Sequence, residues 1–121
     1  MGSLEETLTY ALVIYEDEPI FVEGDWKPIF SVMMFVKTPS TIPEVPQLWM
    51  RVYGGKKINF LFGEYESPEE ILITAKMRLE GDVEEAWLTS DSLAGRTLRH
   101  KNVIDDFSKI EVDGEKMRRI D

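Results

Sequence analysis

The most basic stretch of the sequence, residues 95–101, holds the single histidine of the chain, His100, beside Arg96, Arg99 and Lys101. Guanidinium and ammonium groups bind phosphates and other anions, and arginine does so with paired hydrogen bonds. The segment therefore predicts an anion or nucleic-acid patch. The competing interpretation, which we favour, is an exposed strand whose bases balance nearby acids. A lone imidazole in a chain without cysteine is a poor transition-metal site, so we expect no metal and no cofactor.

A second candidate site combines two aromatic residues with an arginine at alternating positions, Trp49, Arg51 and Tyr53. Alternating residues of a strand lie on one face of its sheet. Tryptophan, tyrosine and arginine are also the residues most enriched in the energetic centres of protein interfaces. The three side chains are therefore our predicted partner-binding surface.

Acidic residues are abundant, and five of them fall close together at Glu16, Asp17, Glu18, Glu23 and Asp25. Gathered carboxylates bind Ca²⁺ or Mg²⁺, but the alternating spacing of a calcium-binding loop is absent. Adjacent carboxylates on a turn also point in different directions. A solvated acidic turn is the interpretation that we favour.

Catalysis has little support in the residue types. With one histidine and no cysteine, an enzyme would depend on carboxylates, or on serine and lysine. Among 23 acidic residues some pair will lie at a suitable distance by chance, so their number is uninformative. We expect a protein that binds and does not catalyse.

The aromatic residues allow two further functions. Stacked on a small barrel they would bind single-stranded nucleic acid, with Arg51, Lys56 and Lys57 nearby to contact phosphates. They could equally line a cavity for an apolar ligand. Aromatic residues in strands are more often part of the core, and we favour that interpretation for this group: Trp26, Trp49, Tyr53, Phe60 and Trp87.

The composition indicates one globular domain over residues 1–121. A formal net charge of −9 opposes binding to nucleic acid and to anionic membranes. The longest apolar run, residues 29–36, is far shorter than a membrane span, and no secretory signal is visible, so we expect a cytoplasmic protein without membrane contact. The scarcity of asparagine, glutamine and cysteine beside many charged residues is typical of thermophiles.

Period-two alternation dominates the chain and predicts strands. Residues 7–15 place Leu8, Tyr10, Leu12 and Ile14 on one face, and residues 28–37 are apolar on both faces, as in a central strand. Between them we predict an acidic turn at 16–19, a short strand at 20–22 and a turn at Gly24-Asp25. The proline-rich segment 38–46 predicts an extended connector between two sheets.

Two glycine-containing turns predict hairpins. Gly54-Gly55 would join strands 47–53 and 56–62, placing Trp49 opposite Phe60. Asp113-Gly114 would join strands 108–112 and 115–120. We also predict strands at 83–89 and 96–101, and a single helical turn within 102–107.

Residues 67–81 fit two patterns. Ser67, Pro68 and Glu70 form a helix-start signature, and Gly81 could end the helix. Apolar residues nevertheless alternate through the same segment, as in a strand. The predicted fold is mainly β: an antiparallel sandwich or small barrel of about eight or nine strands, with one helix near 68–80 if the helical pattern prevails. The predicted function is binding to a protein partner or self-association, with nucleic-acid binding and small-ligand binding as alternatives.

Overall fold

A computed structural model of the chain describes residues 8–39, 42–90 and 95–121. It shows a mainly β protein with a six-stranded sheet. The strands of this sheet are β1 (Thr9–Val22), β2 (Asp25–Lys37), β3 (Trp49–Val52), β4 (Asp82–Thr89), β5 (Val103–Ile104) and β8 (Arg118–Arg119). Their order across the sheet is β5-β3-β2-β1-β4-β8. A separate two-stranded sheet pairs β6 (Glu111–Val112) with β7 (Glu115–Lys116). The first residue of the strand predicted at 7–15, and residues 40 and 41 of the predicted connector, lie outside the described residues.

The sheet contains parallel and antiparallel neighbours, so the predicted purely antiparallel pairing is wrong. β1 runs parallel to β4 and antiparallel to β2. A parallel neighbour requires a long crossover connection, which here contains β2, β3 and the helix α1 (Pro68–Arg78). The connector 38–46 joins β2 and β3, which are neighbours in one sheet, and does not join two sheets as predicted.

A long hairpin of β1 and β2 forms the centre of the sheet. Its turn consists of Glu23 and Gly24, both with positive φ (50° and 87°), as a two-residue hairpin turn requires. The acidic turn predicted at 16–19 is wrong because β1 continues through it. The register shifts there, and Glu18 and Pro19 stand opposite Pro28 as a bulge.

Residues 67–81 begin with a helix, as the start signature predicts. Ser67 Oγ accepts a hydrogen bond from the Glu70 backbone N–H at 3.3 Å, and proline occupies the first helical turn of α1. Ile71 and Ala75, one turn apart, are buried, whereas Ile73 and Met77 are exposed. The apparent alternation therefore does not correspond to a strand face.

Replacing Ser67 with alanine is expected to lower the free energy of unfolding by about 1 kcal/mol, because one N–H of the first turn loses its acceptor. Urea denaturation followed by circular dichroism measures the change. Ser67→Asp is the matched control, since a carboxylate also accepts from this N–H and should retain most of the stability. Equal losses in both variants would show that the cap does not stabilise α1.

Both faces of the sheet are covered. On one face, the 3₁₀ turn Asn59–Leu61 and α1 pack over Tyr10, Leu12 and Ile14 of β1. On the other, segments from the last quarter of the chain contribute Leu98, Ile104, Phe107 and Met117. This double coverage explains why residues 28–37 are apolar on both faces.

Three local predictions fail and one is confirmed. Residues 56–62 do not form a strand: they turn back into Asn59–Leu61, where Asn59 Oδ1 accepts from the Gly55 N–H. Residues 96–101 contain the short helix α2 (Arg96–Leu98) in place of a strand. Residues 102–107 contain β5, and the helical turn comes later, at Phe107–Lys109. The Asp113-Gly114 turn is confirmed, with φ of 51° and 83°, but its strands are shorter than the predicted 108–112 and 115–120: only β6 and β7 pair across it, and β8 pairs with β4.

Candidate interaction surface

The β1–β2 hairpin extends beyond the strands that flank it. β4 pairs with β1 only as far as Tyr15, and β3 pairs with β2 only between Lys37 and Met34. Past these points, in the described part of the chain, the two strands pair with each other and with one further residue, through the Phe30–Tyr65 bridge. We call residues 16–30 the hairpin arm.

The arm ends in an exposed aromatic pair. Phe21 and Trp26 are direct cross-strand partners, so their side chains lie on one side of the arm. Their ring centroids are 5.3 Å apart and the planes are inclined by 59°. Trp26 is 69% exposed and Phe21 is 60% exposed, whereas Trp49 and Trp87 are 4% and 7% exposed. The arm therefore presents the one tryptophan that the fold leaves in solvent.

Negative charge surrounds this pair. Residues 16–27 contain five carboxylates and a single base, Lys27. Asp17 accepts hydrogen bonds from Ser31 Oγ and from the Glu18 N–H. No ion pair joins these carboxylates to another described residue, and no group of three acidic or histidine side chains in the described ranges could hold a metal ion. The arm thus combines an apolar end with an uncompensated negative field.

The open edges of the arm are poorly suited to adding another strand. Proline lacks the N–H that a new ladder needs, and the arm has Pro19 on one strand and Pro28 on the other. Both prolines lie at the bulge, which interrupts the regular ladder. Contacts made by the arm must therefore come mainly from its side chains.

A hollow of about 210 Å³ lies between the arm and the loop that precedes α1. We call it the arm hollow. Its apolar wall contains Ile20, Val22, Pro28, Ile29 and Tyr65, and its polar lining consists of Lys27, Glu64 and Glu66. Because successive residues of a strand point to opposite sides, Ile20 and Val22 face away from Phe21.

The predicted partner-binding residues are only partly accessible. Trp49 packs in the core beside Phe107, with 5.7 Å between the ring centroids, and its indole offers almost no surface to a partner. Arg51 donates to the carbonyl oxygens of Arg99 (2.9 Å) and Leu98 (3.4 Å), so it fastens β3 to α2. Tyr53 is 68% exposed and lies 4.7 Å from the Arg51 guanidinium. Of the three, Tyr53 alone presents a large free surface.

The predicted anion patch is exposed but mixed in charge. Arg96 lies in α2, and Arg99 and His100 lie in the turn that follows it. The Arg99 guanidinium is 5.6 Å from the centre of the Tyr15 ring. Lys101 borders a second hollow, of about 290 Å³, that is also lined by Asp105, Asp106 and Glu111.

Asp106 and Lys57 both have structural partners. Asp106 accepts from both the Ser108 N–H and the Ser108 hydroxyl, and these bonds lower the pKa of the Asp106 carboxyl. Lys57, which the nucleic-acid alternative requires in a common groove, instead forms an ion pair with Glu80 at 3.1 Å. The structure therefore brings Arg51 and Arg99 together but engages Lys57 elsewhere.

Comparison with known protein families, with curated proteins and with solved structures gave no match. In the described part of the chain, no helix has both the length and the apolar character needed to cross a membrane.

Proposed function

We propose that this protein is a binding module that docks onto a protein partner through the hairpin arm. The observation that carries the proposal is the exposed Phe21–Trp26 pair at the end of a hairpin that extends beyond its sheet. Aromatic side chains each bury about 150–250 Å² when covered, and they dominate the binding energy of protein interfaces. A long hairpin with two paired rings presents such anchors without further ordering of the chain.

The charge of the arm indicates the chemistry of the partner. Five carboxylates within residues 16–27 favour an apolar groove bordered by lysine or arginine. The same charges repel phosphates, which opposes the alternative of single-stranded nucleic acid at this surface. The alternative of a small apolar ligand has weaker support, because the arm hollow of about 210 Å³ is below the roughly 300–1,000 Å³ of common ligand sites.

Replacing both Phe21 and Trp26 with alanine is expected to weaken partner binding at least about 30-fold, since the loss of even one interface anchor costs about 2 kcal/mol or more. Tagged wild-type and variant chains would be compared by quantitative capture from an extract of the source cells. The affinity for the protein that depends on the two rings would then be measured by calorimetry at two salt concentrations. Binding should weaken as salt rises, because the acidic arm contributes attraction.

Tyr53→Ala is the matched control, since Tyr53 is similarly exposed but follows the end of β3, outside the arm. The proposal expects this variant to bind normally. Loss of binding in Tyr53→Ala with normal binding in the Phe21/Trp26 double variant would place the binding site around Tyr53 and not at the arm. If the partner bound both variants as tightly as the wild type, docking through either surface would be refuted.

A further inference from the structure

We propose that the arm hollow binds a basic side chain, arginine or lysine, of the same protein partner. This inference deepens the proposed function and rests on it for the source of the side chain. Three features of the hollow support it: an apolar wall, a rim with more carboxylates than bases, and a surrounding loop that hydrogen bonds hold in place before any ligand binds.

The wall suits the aliphatic stem of a long basic residue. Ile20 and Ile29 contribute branched apolar side chains, and Tyr65 also lines the hollow. The Tyr65 hydroxyl is used elsewhere, donating to the Phe60 carbonyl at 3.3 Å, so the ring is held in place. A hollow of about 210 Å³ has room for one large side chain. Arginine and lysine bury their methylene stems against such surfaces and keep the charged end at the rim.

The rim supplies the charge. Glu64 and Glu66 stand on either side of Tyr65, both are exposed, and neither forms an ion pair with another residue that the structure describes. Lys27 is the only base in the lining, which leaves one negative charge in excess. The carboxylates of the arm and of the first turn of α1, Glu69 and Glu70, add to the negative field. A guanidinium or ammonium group would gain charge-assisted hydrogen bonds at this rim.

The hollow is formed before binding. Phe30 and Tyr65 exchange two backbone hydrogen bonds, of 2.8 and 2.9 Å, which fasten the loop to the arm. The Glu66 N–H donates to Glu70 Oε2, and Ser67 caps α1 directly afterwards. A ligand would not have to order these walls, which removes part of the cost of binding.

Nuclear magnetic resonance titration of the full chain with N-acetyl-arginine amide tests the proposal. We expect saturable shifts of the Ile29 methyl groups and the Tyr65 amide at millimolar ligand. N-acetyl-citrulline amide, which has nearly the same shape but no charge, should bind at least tenfold more weakly. Glu64→Gln combined with Glu66→Gln should lower the affinity for the arginine ligand at least tenfold.

Glu111→Gln combined with Glu115→Gln is the matched control, because it makes the same change in net charge on the β6–β7 hairpin. It should bind like the wild type. Three results would overturn the inference: no shifts in the arm hollow, equal binding of arginine and citrulline ligands, or no effect of the Glu64 and Glu66 changes. Such a result would leave docking through Phe21 and Trp26 intact, since these rings lie on the opposite side of the arm. Conversely, arginine binding would survive if the aromatic pair proved unnecessary for capture.

Discussion

Replacing Phe107 with alanine is expected to lower the free energy of unfolding by about 3–5 kcal/mol. The Phe107 ring is fully buried at the centre of an aromatic cluster on one face of the sheet. Its centroid lies 5.2 Å from that of Phe35, 5.7 Å from that of Trp49 and 6.1 Å from that of Trp87. Removing the ring therefore leaves a cavity among rigid side chains that cannot collapse into it, and urea denaturation would measure the cost.

Phe21→Ala makes the same chemical change at an exposed site and serves as the control. Its expected cost is below about 1.5 kcal/mol, the value of its contact with the Trp26 ring. A red shift in tryptophan emission should accompany Phe107→Ala alone, because Trp49 and Trp87 become more exposed to water. If the two variants lost equal stability, the packing of the last quarter of the chain against the sheet would be refuted.

The strand segments 8–15 and 28–37 at the centre of the sheet and the start of the helix could be predicted because their signals are local. Tyr10, Leu12 and Ile14 alternate with residues of the opposite face, and the structure buries them under α1. The serine cap and the following proline fixed the start of α1, whereas the alternating apolar pattern did not correspond to burial. Local chemistry at a helix start thus outweighed periodicity, because a cap satisfies specific backbone groups in any tertiary setting.

The partners of the shorter strands could not be predicted from local chemistry. Gly54-Gly55 is a good hairpin signal, yet β3 pairs with β2 and with β5, some fifty residues further along the chain. Trp49 is buried because Phe107 covers it. Whether an aromatic residue becomes an interface anchor or part of the core depends on such distant contacts, and therefore its exposure could not be read from spacing.

The exposure of the aromatic pair on the arm could not be predicted from local sequence either. Charged residues beside a proline are typical of turns, and this pattern predicts a turn at 16–19. The structure shows that the strand passes through them with a bulge. The pairing of Phe21 with Trp26 follows from the Glu23-Gly24 turn, and a two-residue turn at that position would have predicted it. Exposure of the pair, however, arises because neither β3 nor β4 reaches so far along the hairpin.

Replacing Gly81 with alanine is expected to lower the free energy of unfolding by about 2–6 kcal/mol. Gly81 has a φ of 143°, which side-chain-bearing residues rarely adopt, and such strain costs about 1–3 kcal/mol. An added Cβ would also overlap the Leu8 carbonyl oxygen and lie 2.8 Å from the Tyr10 ring. Overpacking of this kind adds about 1–3 kcal/mol. Thermal and urea denaturation would measure the loss.

The overlap with the Leu8 carbonyl lies where the parallel pairing of β1 and β4 begins. The loss of stability in Gly81→Ala should therefore exceed that from backbone strain alone. The Leu8 carbonyl accepts from the Asp82 N–H at 2.9 Å, next to the Thr9–Asp82 pair of β1 and β4. Moving this carbonyl opens the start of the central ladder.

Gly24→Ala separates the two contributions, since Gly24 also has a positive φ, 87°, but no atom within 4 Å of an added Cβ. We expect about 1–2 kcal/mol for Gly24→Ala, the cost of the left-handed backbone alone. If the Gly81 variant were no less stable than the Gly24 variant, the contact between Gly81 and the Leu8 carbonyl could be lost without a cost in stability. The close approach of β1 to β4 at this point would then not be needed for the fold.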